Sequence, residues 1–304
     1  MISTFLREQI SRFVPPHDLL LDEPMSGHTT FRVGGSADLF INISSHDQLT
    51  RLIACLRDEG VEFFILGNGS NVLVGDKGYR GAILHIGEKM AELACDGDLI
   101  TAGAGASLTD VAGYAADRGL GGLEFASGIP GTIGGGVVMN AGAFDSDMEA
   151  VTESVLAMDG EGELMEIGRQ QLGFGYRSSI FKTRPYTVIS VTLRLERGDS
   201  AAIKGKMSEL TKRRRDRQPL QHASAGSTFK RPQNGYAGQL IMDAGLSGFT
   251  VGGASVSDKH CGFVINRGDA RAADVLAVIR SVQDRVSARF GITLEPEIIY
   301  LGDF

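Results

Sequence analysis

The chain has 304 residues, with 30 Lys and Arg against 37 Asp and Glu and a formal net charge of −7. That length accommodates two or three modules with proper cores, and the acidic balance argues against a general nucleic-acid surface. The cysteines Cys55, Cys95 and Cys261 are odd in number and lack C-x-x-C spacing, so they suggest neither a disulfide framework nor a zinc site.

Taken in order, MISTFLREQISRF carries charges and no apolar run, so it does not read as a secretory signal. Residues 1–20 read as a short amphipathic helix stopped by Pro15 and Pro16. HTTFRVGG (28–35) is a loop, and 37–43 a strand. Leu49, Leu52, Ile53 and Leu56 recur at helical spacing within 46–60, a segment that ends in Gly60. A strand at 62–66 runs straight into GNGSN (67–71), which makes this region a βαβ unit followed by a glycine loop. Further strands are expected at 82–86 and 99–106, then a helix over 107–119 with Ser107 as N-cap.

Beyond residue 150, the segment 151–167 reads as a hairpin around Asp159-Gly160, and 186–196 as a long strand. A basic helix over 202–217 opens a new module. That module continues with a strand at 225–232, a helix at 236–245, a turn at Gly252-Gly253 and a strand at 262–266. It closes with a helix over 270–289, apolar at Val275, Val278, Ile279, Val282 and Val286, and a strand over 293–302. Strands in runs with few helices mean α+β rather than a doubly wound sheet. No stretch of ~18 apolar residues is present to cross a bilayer, so a soluble, cytoplasmic chain with no membrane or nucleic-acid partner is expected.

The densest signal is GGLEFASGIPGTIGGGVVMNAGA (121–143), which holds eight glycines. A Gly/Ser linker would be polar, whereas this run interleaves Leu123, Phe125, Ile129, Ile133, Val137, Val138 and Met139. It reads as an ordered loop packed on a large cofactor, with backbone N–H groups that form a nest for a pyrophosphate. GNGSN is weak alone, as an ordinary tight turn would look the same. Beside 121–143 it reads as a second phosphate-contacting loop, with amides from Gly67, Asn68 and Gly69 and side chains from Ser70 and Asn71. GAGASL (103–108) lacks the third glycine of G-x-G-x-x-G, and no G-x-x-x-x-G-K-[ST] occurs, which disfavours a Rossmann fold and a P-loop.

Other motifs are more equivocal. KRRRDR (212–217) reads as a solvated helix face or as a site for one anionic substrate. YRSSIFK (176–182) places Arg177 between an aromatic and two hydroxyls, in a turn or in a site. AGSTFKRP sets Ser227 after Gly226 and before Lys230. Glu295 and Glu297 in LEPEI have the spacing that puts both on one face of a strand. The histidines show no metal spacing, so no metal is expected.

Together, HTTFRVGG, GNGSN, AGAG, GIPGTIGG, NAGAF, YRSSIFK, AGSTFKRP, AGQLI and LEPE, in that order, resemble the family of UDP-N-acetylenolpyruvoylglucosamine reductases over nearly the whole chain. The resemblance implies an α+β fold: a vanillyl-alcohol-oxidase (PCMH) type FAD-binding domain over 1–200, with two α+β subdomains at about 1–80 and 81–200, and a C-terminal α+β substrate-binding domain over 201–304. It implies non-covalent FAD as cofactor and NADPH as hydride donor. The FAD pyrophosphate would lie on 67–71 and 128–135. The implied cofactor residues are Gly67, Asn68, Gly69, Ser70, Asn71, Ser127, Gly128, Ile129, Pro130, Gly131, Thr132, Gly134, Gly135, Asn140, Ala141 and Gly142, with Val188 lining the flavin ring.

Carried over position by position, the catalytic residues are Arg177, Ser227 and Glu297, and the substrate residues are Tyr176, Arg217, Lys230 and Arg231. The implied reaction is reduction of UDP-N-acetylenolpyruvoylglucosamine to UDP-N-acetylmuramate in peptidoglycan precursor synthesis, by a monomer. The family has two branches. The passage after Arg184 leaves no room for the extra tyrosine-bearing segment of one branch, so the chain is similar to the shorter branch. Arg231 stands where the other branch often has Asn. Two alternatives stay open from the sequence: another FAD oxidoreductase of the same superfamily, or a flavin-free UDP-sugar-binding module.

Overall fold

The computed structural model describes residues 2–233 and 235–304. The chain builds two units, each assembled from separated segments. One takes the chain up to Leu20, Leu39–Asn68 and Gly81–Arg214; the other takes Leu21–Asp38, Gly69–Arg80 and Arg215–Phe304.

The first unit is centred on a five-stranded antiparallel sheet in the order Leu164–Gly168, Thr152–Met158, Thr187–Arg194, Leu99–Gly103, Leu93–Asp96. Successive side chains of a strand point to opposite faces. Accordingly Val191 and Leu193 are buried while Arg194 is exposed. The expected hairpin is present. Its turn is closed by Asp159, whose Oδ1 accepts the amides of Glu161 (2.8 Å) and Glu163 (2.9 Å). The helix His46–Asp58 buries Leu49, Leu52, Ile53 and Leu56, as the spacing predicts. The strands that flank it share one sheet, with Tyr79–His85 between them, so the crossover skips a strand.

Ser107 caps the helix Leu108–Asp117, accepting the amide of Asp110 at 3.0 Å. The glycine-rich stretch is not loop throughout, as the sequence reading had it. Ile133–Val138 forms a short helix capped by Thr132, whose Oγ1 accepts the amide of Gly135 at 3.3 Å. Helix-poor glycines are tolerated here because the helix lies close to its neighbours. A Cβ on Gly134 would come within 2.9 Å of the Ala104 Cβ.

The second unit has its own core, to which Phe31, Val33 and Leu73 contribute alongside the C-terminal residues. A three-stranded antiparallel sheet, Thr250–Val251, Ala254–Val256 and Val264–Asn266, packs against the helix Ala272–Phe290. That helix buries Val275, Val278, Ile279, Val282 and Val286 completely. Full burial of such side chains contributes roughly 1.5–3 kcal/mol each. Its first turn is capped from far away in sequence: Asp76 accepts the amides of Ala272 (2.8 Å) and Ala273 (3.0 Å).

Two expected strands need correction. Residues 225–232 form no strand, because Gly226 turns through φ +72° and only Phe229 makes a bridge, to Pro296. The final strand is confined to Ile299–Leu301, which pairs in parallel with Val72–Val74. Glu295 and Glu297 therefore lie before it rather than within it.

Candidate active site

The two glycine loops differ in what their amides do. In the segment 127–135 the N–H groups of Ser127, Ile129, Gly131, Ile133 and Gly134 donate to carbonyls of Glu124, Ala126, Ile129, Ala106 and Ala104, and that of Gly135 donates to Thr132. Most of the expected nest is thus occupied by the fold itself. By contrast, none of the amides of residues 67–71 donates a hydrogen bond to a described residue. The loops meet at Gly67 and Thr132, where a Cβ on Gly67 would collide with the Thr132 hydroxyl.

Asn140 follows the glycine helix, is buried, and holds the positive φ of 42° that asparagine tolerates better than most residues. Its Oδ1 accepts the amide of Glu149 at 2.9 Å, and its Nδ2 donates to the Gly175 carbonyl at 3.1 Å and to Asp147 Oδ2 at 3.4 Å. The side chain expected to face a cofactor is thereby engaged within the protein. What it anchors is the turn bearing Arg177. Gly175 and Ser178 exchange both backbone hydrogen bonds (3.0 and 3.1 Å), with Tyr176 and Arg177 at the tip. Arg177 takes φ +52°, in a turn position that favours glycine. A non-glycine residue held there carries about 1–3 kcal/mol of strain, a feature concentrated at functional sites. The guanidinium is half-buried, with Nη1 and Nη2 each 3.4 Å from the carbonyls of Asn140 and Gly142. Tyr176 is 56% exposed, and its ring centroid lies 5.3 Å from the guanidinium carbon of Arg177.

In the second unit, residues 228–230 and 295–297 run antiparallel. Glu297 donates its N–H to the Thr228 carbonyl, and Lys230 donates its N–H to the Glu295 carbonyl, both at 2.8 Å, on either side of the Phe229–Pro296 bridge. Thr228 is fully buried and pinned further, donating its N–H to Gly262 O (2.8 Å) and accepting Val264 N–H at Oγ1 (3.0 Å). Ser227, next to this fixed point, is exposed. The Lys230 ammonium pairs with the Glu295 carboxylate. Asn71 of the GNGSN loop donates Nδ2 to the Glu297 carbonyl at 3.2 Å. Arg231 stacks over Tyr236 at 4.3 Å, and Arg217 is exposed at the end of the basic helix. Ser227, Lys230, Glu297 and Asn71 are thus gathered in one unit; Arg177, Asn140 and the 127–135 loop are gathered in the other.

Two family models match, an FAD binding domain over residues 37–168 and the C-terminal domain of UDP-N-acetylenolpyruvoylglucosamine reductase over 218–301. A protein named UDP-N-acetylenolpyruvoylglucosamine reductase from Caldanaerobacter subterraneus subsp. tengcongensis is 46% identical, covering 99% of this chain and 100% of its own length. The chain belongs to the UDP-N-acetylenolpyruvoylglucosamine reductase family.

A reductase of the same name from Agathobacter rectalis is also 46% identical, with both chains fully covered. The crystal structure of the Thermus caldophilus reductase superposes with a TM-score of 0.80 at 34% identity, covering 93% of this chain and 98% of that one. A 4-ethylphenol oxidase from Gulosibacter chungangensis covers 64% of this chain and 44% of its own, with TM-score 0.50 and 13% identity, and it speaks to the fold alone. The α+β architecture with an FAD-binding domain is therefore that of this reductase family.

The residues present fit FAD. The amides of 67–71 are available as donors, and the first unit holds Arg214, whose Nε and Nη1 are shielded from solvent without a hydrogen-bond partner among the described residues. Arg214 lies within the KRRRDR run, from which the resemblance names Arg217 individually. Val188 is buried on the strand Thr187–Arg194. An open cavity of about 560 Å³, lined by Asp98, Glu153, Arg169 and Arg194 among others, contains none of the expected site residues. There Arg194 is already paired, at 3.0 Å from Glu153 and 3.4 Å from Asp98. Among the described residues no cluster of His, Cys, Asp or Glu could hold a metal ion, and no helix is long and apolar enough to cross a membrane.

Proposed function

We propose that this chain catalyses the NADPH-dependent reduction of UDP-N-acetylenolpyruvoylglucosamine to UDP-N-acetylmuramate, a step of peptidoglycan precursor synthesis. When bound, FAD would supply the hydride chemistry that couples NADPH to the enolpyruvyl double bond. Gly67–Asn71 and the 127–135 loop would hold it. The protein's own groups manage charge and protons. Arg177 holds the substrate carboxylate and stabilises the negative charge that develops beside it. Ser227 gives the proton to the α-carbon as general acid. Glu297 in its protonated form donates a hydrogen bond to the enol. Lys230, Arg217, Arg231 and Tyr176 bind the UDP portion.

The observation that carries this reading is the pairing of 228–230 with 295–297 in a chain of this family. An exposed serine there sits beside a fully pinned Thr228, whose carbonyl accepts the amide of Glu297. A general acid needs that kind of fixed backbone to hold geometry.

The test is the visible spectrum of the purified full-length chain under anaerobic conditions. NADPH should bleach a yellow, acid-extractable FAD, and UDP-N-acetylenolpyruvoylglucosamine should restore the colour. A chain that bleaches but is reoxidised only by air contradicts the proposed substrate, and a colourless chain contradicts the flavin reaction.

A further inference from the structure

The helix Ser200–Arg217 carries one arginine that turns inward. Ile203, Met207, Leu210 and Arg214 are spaced by four, three and four residues and so share a helical face. Ile203 and Leu210 are buried and Met207 packs on the first unit's core, whereas Arg213, Arg215 and Arg217 are exposed. Arg214 continues the apolar stripe and ends against the 127–135 loop. A Cβ on Gly128 would lie 3.1 Å from Nη1 and 3.2 Å from Cδ. Both Nε and Nη1 are shielded from solvent, and neither hydrogen-bonds to any described residue. Burial pulls the guanidinium's pKa down.

A cation whose donor nitrogens are shielded from water and unsatisfied is among the costlier features a fold can retain, unless an anion meets it. The nearby loop cannot serve an anion well through its backbone, since six of its amides are engaged internally. A side chain must supply the positive charge there. We propose that Arg214 is the counter-charge to the pyrophosphate of FAD, bound over Gly128. Nε and Nη1 lie on different edges of the guanidinium, and a pyrophosphate presents acceptor oxygens on two linked phosphates. The inference rests on the flavin reading above. The proposed reaction brings two pyrophosphates to the protein, that of FAD and that of the UDP-linked substrate. Contact with Gly128, inside the segment matched as an FAD binding domain, favours the flavin's.

The test uses the full chain, as wild type, Arg214→Met and Arg214→Lys, stripped of flavin and titrated with FAD by flavin fluorescence. UDP is titrated separately by calorimetry, and the melting temperature of each stripped protein is recorded. Arg214→Met should weaken FAD binding by about 10- to 100-fold, the range for losing a charge-assisted contact. Arg214→Lys should recover part of that loss, and UDP affinity should be unchanged. Stripped Arg214→Met should melt no lower than stripped wild type, because it loses an unsatisfied buried charge. A lower melting temperature with no Lys rescue makes Arg214 a packing residue and overturns the assignment. So does a loss of UDP affinity with FAD affinity intact, which would give Arg214 to the substrate. Wild type and Arg214→Met binding FAD equally overturns this assignment alone; a wild type that takes up no FAD overturns it together with the flavin reading.

Discussion

Asn71 and Glu297, 226 residues apart in sequence, are joined by a hydrogen bond from the Asn71 side-chain amide to the Glu297 carbonyl, at 3.2 Å. The link is doubled by Ile299, which donates its N–H to the Asn71 carbonyl at 2.9 Å. A loop proposed for the cofactor thereby fixes the backbone of a residue proposed for the chemistry. Asn71→Ala should destabilise the chain by about 1 kcal/mol and slow turnover more than it lowers flavin content. Thermal melting, flavin absorbance and steady-state assays check this. Unchanged turnover would mean that the Asn71 contact does not position Glu297.

Asn140 plays the corresponding part beneath Arg177. Its Nδ2 ties the end of the glycine helix to the Gly175–Ser178 turn, and its other two hydrogen bonds hold Asp147 and Glu149. Asn140→Ala should cost about 1–3 kcal/mol, the penalty for leaving buried partners unsatisfied. Asn140→Asp should be worse, because a second carboxylate would then face Asp147 at hydrogen-bond range. Flavin reduction by NADPH should change little, while reoxidation by substrate slows. An Asp variant as stable as the Ala variant would contradict this role.

Lys230 and Glu295 pair on facing chains, and the Glu295 side chain is 69% exposed. Such pairs contribute only about 0–1 kcal/mol to stability, so Lys230→Ala should barely move the melting temperature. If Lys230 binds the UDP diphosphate, the same change should raise KM for the UDP substrate several-fold and leave NADPH bleaching intact. Glu295→Gln frees the ammonium and should not raise KM. Equal KM values for wild type and Lys230→Ala would remove Lys230 from the site.

His260 gives a pH dependence of known sign. Burial holds its imidazole below the ordinary value, and its Nδ1 accepts the Gly262 amide at 3.2 Å, which suits the neutral ring. On unfolding it regains a pKa of about 6.5. As pH falls through that value the unfolded chain binds a proton that the folded chain does not yet bind, so stability is full above it and drops below it. The urea midpoint should fall from about pH 7 to about pH 5, and His260→Gln should flatten the slope relative to wild type. Identical slopes would show that His260 is not buried as a neutral ring.

Elements governed by local rules were legible in the sequence. The apolar spacing of 46–58 and 272–290, the Ser107 cap and the Asp159 turn each state their structure within a dozen residues or so. Residues 225–232 misled because aromatic and β-branched composition outweighed Gly226, whose left-handed φ ends any regular strand. The separated segments of the second unit were hidden for another reason. Nothing local to Phe31, Val33 or Leu73 says that they pack with residues beyond 215.

Within the site, the residue types carried by the family motifs stood out, but the engagements of individual atoms did not. Asn140 in NAGAF looks like a ligand-facing amide until its partners Glu149 and Gly175 are known. Arg214 was readable in principle, since Ile203, Met207 and Leu210 point the helical stripe at it. The flanking run of charge hid that periodicity.

The most direct measurement is stopped-flow spectroscopy of Ser227→Ala under anaerobic conditions, following both halves of the cycle. A serine that only protonates the α-carbon has no part in flavin reduction, so bleaching by NADPH should proceed at nearly the wild-type rate. Reoxidation by UDP-N-acetylenolpyruvoylglucosamine should slow by at least the ~10²–10⁴-fold typical of a lost acid–base group, and Ser227→Cys should retain part of the activity because a thiol also donates a proton. Equal slowing of both halves, or a fully active Ser227→Ala, would contradict the assignment of Ser227 as proton donor.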